Sequence, residues 1–333
     1  MADGGEGTVD AFLALPAWRA SERVVRGPLG DPVRAVFAID QERAIIEMAS
    51  ASGLALVDAT RRDAMRASTY GTGELVIAAL DAGARDIVVA VGGSATNDGG
   101  AGMLAALGAR LLDDEGRELE PGGAALAHLA RIDLEHLDAR LRDVTISVAA
   151  DVDHPLLGTR GASAVFGPQK GASPDEVLAL DSALTRFAEI SAKTLGFDKR
   201  DLAGVGAAGG LAFAFAAFAN ARIAPGALLV AEMRDLHGAM REAFLCFTGE
   251  GSIDAQTLGG KTVLGVASIA RDAGVRVVAF GGRVTADAEA SLAEREIVAV
   301  PIADGPLALE RAFADAPLLL ERAAARIARL LLA

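Results

Sequence analysis

The chain has 333 residues, 52% hydrophobic but only 4% aromatic, with 45 acidic against 32 basic side chains and a formal net charge of −13. That length allows two domains or one large one, and a core made mostly of Ala, Leu, Val and Ile favours packed helices and parallel strands over an aromatic-rich β sandwich. The acidic balance excludes a general nucleic-acid binder, though not a nucleotide held locally by backbone N–H groups and a few lysines, and a single cysteine, Cys246, excludes an intramolecular disulfide or a Cys-rich zinc site.

In chain order, no signal peptide precedes the first polar residues, and Asp3-Gly4-Gly5-Glu6-Gly7-Thr8 leads straight into a helix. Arg34–Ile39 and Arg43–Met48 are apolar runs separated by Asp40, Gln41 and Glu42, the pattern of a hairpin. A helix is expected over Gly73–Ala82, a buried strand over Asp86–Val91, a helix over Gly100–Leu112 and a strand over Val144–Ala149 that ends at Asp151. Ser173-Pro174-Asp175-Glu176 opens a long helix to Thr194: a serine cap, a proline at the first helical position, and two acids at the positive helix end. The apolar stretch Ala207–Ala219 is too short and too rich in Ala and Gly to span a bilayer, so a soluble cytoplasmic protein is expected.

Beyond it, strands over Ala243–Thr248, Val275–Phe280 and Glu296–Pro301 alternate with helices over Thr262–Ala273 and Ala286–Arg295, the signature of a doubly wound parallel sheet. Cys246, inside the first of these strands, reads as a small buried hydrophobe. The amphipathic tract Arg322–Ala333 reads as a terminal helix.

Four glycine-rich loops carry the chemistry: Asp3–Thr8; Gly92-Gly93-Ser94-Ala95-Thr96-Asn97-Asp98-Gly99-Gly100; Gly167-Pro168-Gln169-Lys170-Gly171-Ala172; and Thr248-Gly249-Glu250-Gly251-Ser252-Ile253-Asp254, followed by Thr257 and Gly259-Gly260-Lys261-Thr262. The second and fourth lie between a strand-like run and a helix, where open α/β sheets bind ligands. Glycine lets the backbone approach an anion, a helix start adds free N–H donors, and the interspersed acids could hold Mg2+.

Other motifs fare less well. Gly204-Val205-Gly206-Ala207-Ala208-Gly209 has the spacing of a dinucleotide fingerprint, but a charged segment stands where the strand should be, so an NAD-dependent oxidoreductase is the weaker alternative. Gly259–Thr262 resembles the end of a P-loop, yet Ala255 occupies the position of its first glycine. His128 and His136 read as solvated, His154 as a turn residue near acids, and Trp18 as a packing residue.

The blocks DGGEGT (Asp3–Thr8), GTGEL (Gly71–Leu75), GGSATNDGG (Gly92–Gly100), DVDHPL (Asp151–Leu156), GPQKGA (Gly167–Ala172), GAAGG (Gly206–Gly210) and TGEGSIDAQTLGGKT (Thr248–Thr262) together resemble the bacterial glycerate kinase family, in family order and across nearly the whole chain. The resemblance implies transfer of phosphate from ATP to D-glycerate, at the 2-hydroxyl, with Mg2+. It also implies two different α/β domains: a discontinuous flavodoxin-like parallel-sheet domain (1–20 and 235–333) and an inserted mixed α/β domain (21–234), with the site in a cleft between them.

Family members carry a further strand, loop and helix ahead of the DGGEG loop, so the parallel sheet is expected to lack its first strand, through a mis-assigned start or a deliberate fragment. A catalytically impaired ligand-binding relative is the corresponding alternative. For the reaction, Gly92, Gly93, Ser94, Thr96, Gly249 and Gly251 are candidate phosphate binders, joined by Gly4, Gly5, Glu6, Gln169, Thr248 and Thr257, with Lys170 and Lys261 as cations. Asp3, Asp98, Asp151, Glu250 and Asp254 compete to orient the hydroxyl or bind metal; Asp254 and Asp151 are favoured for the first role, Asp151 and Glu250 for the second.

Overall fold

A computed structural model of the chain describes residues 5, 7–255, 257–259 and 262–332. They fall into two compact units, one of Ala2–Gly226 and one formed by Ala227–Ala333.

The larger unit is built on a six-stranded mixed sheet, order β1-β2-β3-β4-β7-β8. Its strands are β1 (Arg19–Arg26), β2 (Pro32–Asp40), β3 (Arg43–Glu47), β4 (Asp86–Ala90), β7 (Thr145–Ala149) and β8 (Arg222–Ala224); β5 (Arg110–Leu112) and β6 (Arg131–Asp133) pair separately. The expected hairpin is β2–β3, antiparallel and turned at Gln41 with φ 51°. From β3 onward the neighbours are parallel. The buried strands are those with near-continuous apolar runs, Ile87–Ala90 and Ile146–Ala149, the second interrupted by the buried Ser147, as parallel strands covered on both faces favour.

β1 is not among the strands that the sequence pattern predicts. It alternates poorly and stands at the sheet edge, with Arg19, Glu22, Arg23 and Arg26 exposed. The expected helix Gly100–Leu112 is instead a helix over Ala101–Ala106 followed by β5, because Gly108 turns the chain at φ +98° where a Cβ would strike the His136 carbonyl. The long helix spans Pro174–Leu195 and carries a full capping box, with Ser173 and Glu176 each bonded to the other's backbone N–H.

The helix Thr8–Leu13 packs on β2 and β3, so these residues belong with the larger unit, whereas the sequence groups residues 1–20 with 235–333. Phe12 on this helix is fully buried, with its ring 4.7 Å from that of Trp18, and burial of a phenyl side chain contributes about 1.5–3 kcal/mol.

The smaller unit is the β-α-β-α-β series. β9 (Leu245–Ile253), β10 (Arg276–Val284) and β11 (Ile297–Pro301) are all parallel, in the order β11-β10-β9. The helices Thr262–Asp272 and Ala286–Ala293 cover one face through Val266, Ile269, Ala288 and Leu292, while Ala323 and Ile327 of the Ala316–Leu332 helix pack with Val278 and Phe280. Cys246 is buried in β9, and burial pushes its thiol pKa up, as a packing residue requires. Among the described residues no helix is long and apolar enough to cross a membrane.

Candidate functional site

β4 and β7 are parallel neighbours that end in register, Ala90 opposite Ala149, so the loops that follow them emerge side by side at the carboxyl end of the sheet. Between these loops lies a cavity of about 440 Å³, lined by Gly92, Gly93, Ser94, Asp151, Val152, Gln169 and Gly5, with Leu54, Phe166, Ala207 and Ala208 as apolar wall. The Gly92–Ser94 tip is fixed in place: Leu54 N–H donates to the Gly93 carbonyl at 2.8 Å, and Ala95 N–H to the Ser52 carbonyl at 2.9 Å. The exposed Asp151 accepts the Gly226 N–H at 2.9 Å. Gly5 is positioned by Thr8, whose hydroxyl donates to its carbonyl at 2.8 Å, and Val9 N–H donates to Glu47 at the end of β3 at 2.7 Å. Burial pushes the Glu47 carboxyl pKa up, partly opposed by that bond.

Behind the tip, three consecutive fully buried polar residues tie the loop to three other segments. Thr96 offers its carbonyl to the Lys170 ammonium at 2.7 Å. Asn97 donates from Nδ2 to Ser163 Oγ at 2.9 Å. Asp98 accepts four bonds: from Thr69 N–H (2.8 Å), the Thr69 hydroxyl (2.9 Å), Gly102 N–H (3.1 Å) and Gly100 N–H (3.0 Å). Burial pushes the Asp98 carboxyl pKa up and these donors pull the other way, by favouring the ionised form. Close packing completes the clasp. Gly99 N–H donates to the Gly209 carbonyl at 2.9 Å, and Gly209, at φ +65°, sits where a Cβ would overlap the Thr96 carbonyl oxygen.

Lys170 is therefore not where the sequence puts it. It is 1% exposed, does not line the cavity, and reaches the loop from behind. Desolvation lowers its pKa to about 7, with the Asp98 charge acting in the opposite sense. Its neighbour Gln169 faces the cavity instead. Asp98 and Thr96 likewise brace the loop, and the tip residues Gly92, Gly93 and Ser94 are the ones presented.

In the smaller unit, Thr248, Gly249, Glu250 and Gly251 are not loop residues: β9 runs through them, paired with β10 as far as Ile253 opposite Val284. The turn begins at Asp254. Its carboxylate accepts the Ser252 hydroxyl at 2.9 Å, and its N–H donates to Thr257 Oγ1 at 3.2 Å. The buried Thr257 hydroxyl donates to Glu250 at 2.9 Å, while the other Glu250 oxygen accepts Val263 N–H at 3.2 Å in the first turn of the following helix. Glu250 is thus a helix cap, and Asp254 stands half-buried at the open end of the strand. Asp3, Gly4, Glu6 and Lys261 lie outside the described residues.

The structure adds residues that spacing does not reveal: Thr69 and Ser163 as anchors, and Ala207–Ala208 as cavity wall. Thr69 is signalled only by its place just before GTGEL. Ala208 belongs to the Gly204–Gly209 stretch, which has no strand directly before it and turns through left-handed backbone at Ala208, Gly209 and Gly210. His154 bonds the Arg160 carbonyl through Nδ1 at 2.9 Å and packs edge-on to Phe166; His128 and His136 are exposed.

Residues 1–332 match the family described as the glycerate kinase family. A glycerate kinase of Bacillus subtilis (strain 168) is 48% identical over 315 residues, covering 94% of this chain and 82% of that protein. A glycerate 2-kinase of Escherichia coli (strain K12) is 46% identical over 289 residues, covering 86% and 76%. A solved structure assigned to glycerate kinase 2 from Salmonella typhimurium LT2 superposes with a TM-score of 0.80 at 44% identity, covering 94% of this chain and 83% of that one.

Proposed function

Because this chain belongs to the glycerate kinase family, we propose that it transfers the terminal phosphoryl group of ATP to the 2-hydroxyl of D-glycerate, giving 2-phosphoglycerate. The supporting observation is the convergence of three family-like glycine loops, through Gly5, Gly92–Ser94 and Gln169, with Asp151 on one cavity.

Phosphoryl transfer asks little covalent chemistry of a protein; it asks for alignment of the attacking hydroxyl and for neutralisation of phosphate charge. Gly92, Gly93 and Ser94 supply backbone N–H groups and a hydroxyl at the carboxyl end of β4, a seat that suits an anion. Gln169 adds an amide that can donate to substrate oxygens. Asp254, half-buried at the end of β9 in the smaller unit, has the carboxylate chemistry of a base for the glycerate hydroxyl.

Mg2+ comes with the nucleotide, and when bound it neutralises phosphate charge. Such a hard cation takes one or two carboxylates in addition to phosphate oxygens. Asp151, exposed on the cavity wall, fits that use. Glu250 fits it poorly, since both its oxygens accept bonds that hold its own turn and the head of the next helix.

A coupled assay of ADP release with D-glycerate, L-glycerate and related hydroxy acids, followed by phosphorus NMR of the product, tests the reading. Turnover dependent on D-glycerate with the phosphate on carbon 2 is expected. ATP binding without acid-dependent turnover would leave a ligand-binding module in its place.

A further inference from the structure

Each stretch of the Gly92–Gly100 loop has its own restraint. Ala95 is held by Ser52, Asn97 by Ser163, Asp98 by Thr69, Gly100 and Gly102, and Gly99 by Gly209. For Thr96, two residues beyond the cavity-lining Ser94, the restraint is the Lys170 ammonium on its carbonyl. The Thr96 hydroxyl is buried without a hydrogen-bond partner, so the side chain does not share this work. An ammonium donates a charge-assisted bond about twice as strong as that of a neutral amine. It also places a positive charge, shielded from water, beneath backbone that faces an anion.

We propose that Lys170 is a positioning residue for phosphotransfer: without touching the ligand, its protonated form holds the buried Thr96 carbonyl and so sets the Gly92–Ser94 backbone as an anion seat, and loss of that proton loosens the seat. This rests on the reading of the larger-unit cavity as the nucleotide's phosphate site.

The groups around the amine fit this role. Asp98 acts on it electrostatically and favours the charged form. The Arg62 guanidinium is bonded to the adjoining Gln169 carbonyl at 3.3 Å, the Phe166 ring lies 6.0 Å away, and Glu176 at the head of the long helix is turned onto Ser173. Burial holds the amine's pKa at about 7, so both forms are populated near neutrality, and a bound polyanion draws the balance toward the charged one.

The test is the KM for ATP and kcat between pH 6 and 9 for the wild type, Lys170→Met, Lys170→Arg and Ser163→Ala. In the wild type, KM is expected to climb above neutrality, approaching about tenfold per pH unit. Lys170→Met should show a high KM with that limb gone. Lys170→Arg, whose charge does not titrate, should keep a low KM across the range. Ser163→Ala, a purely structural anchor, should lower the melting temperature and retain the limb. An active wild type whose alkaline limb persists in Lys170→Met overturns the proposal.

Should the Lys170 variants fail to fold, calorimetry of ATP binding to the wild type at pH 8, in buffers of different ionisation enthalpy, decides the matter. Uptake of up to about one proton is expected, and none overturns it. Absence of glycerate-dependent turnover bears on the phosphotransfer reading alone, because the calorimetric result does not depend on the acceptor.

Discussion

The Gly92–Gly100 loop of the larger unit and the Ser252–Thr257 turn of the smaller one both carry Ser, Thr, Ala and Asp, and they have opposite support. The first is rooted in distant segments: Asp98 reaches Thr69, Asn97 reaches Ser163 and Thr96 reaches Lys170, all inside the core. The side chains of the second are held by neighbours, with Asp254 bonded to Ser252 and Thr257, and Thr257 to Glu250, all within eight residues in sequence, while the Ile253 carbonyl at its head accepts from Thr285 N–H at 3.0 Å. A loop rooted in the core shares the stability of its unit. A locally tied turn can change its chemistry while the fold stands.

Substitution of Asp98 should separate the two regimes most sharply. Asp98→Asn puts an amide NH2 where a carboxyl oxygen accepts from buried donors, leaving them unpaired at a cost of about 1–3 kcal/mol each, and thermal unfolding should show a melting point lower by roughly 10 °C, taking about 2–4 °C per kcal/mol. Asp254→Asn should do the reverse, with kcat down on the order of 10²–10⁴ and melting almost unchanged. If the two variants lose stability alike, the distinction between rooted and local support is gone.

A smaller effect is expected from pH. In the unfolded chain the Lys170 amine keeps its proton to about 10.5, whereas in the folded protein it releases it at about 7. Between these values the unfolded state binds more protons, so wild-type stability should rise relative to Lys170→Met as pH increases from 7 toward 10.5, with no trend below 7. Denaturant titrations of the pair at pH 6.5, 8 and 9.5 read this directly. The smallest effect belongs to the local turn: Glu250→Gln keeps shape but loses charge at a helix start, costing about 0.3–1 kcal/mol.

What the sequence reveals follows the physics of each element. Ile87–Ala90, Ile146–Ala149 and Val277–Phe280 are legible because a doubly covered strand is nearly all apolar (Ser147 is the one polar residue in these runs), and glycine or aspartate marks where each run ends. β1 is hidden because an edge strand with charged residues on its exposed positions carries neither signal. The break after Ala106 depends on one glycine, Gly108, approaching a distant carbonyl, which local pattern cannot register.

At the site, Gly5, Gly92, Gly93, Ser94, Asp151 and Gln169 are legible as loop residues of the right chemistry. Lys170 and Asp98 are legible as residues of charged chemistry beside glycines, but not their burial behind the loop. Whether a lysine beside glycines faces a ligand or the back of a loop depends on which segment covers it, and that is a tertiary fact. Glu250 shows the same ambiguity between metal ligand and helix cap, since its bond from Val263 N–H depends on where the next helix starts.

The outermost strand has a consequence of its own. β1 hydrogen-bonds to β2 on one side, and its ladder ends there within the sheet. Arg19, Glu22, Arg23 and Arg26 stand exposed along this strand beside the exposed Val24, and a second molecule trying to extend the sheet would have to dehydrate several charged groups. The arrangement acts as a fender against lamination, so concentrated solutions of the protein should stay dispersed where a smooth, apolar border would invite stacking.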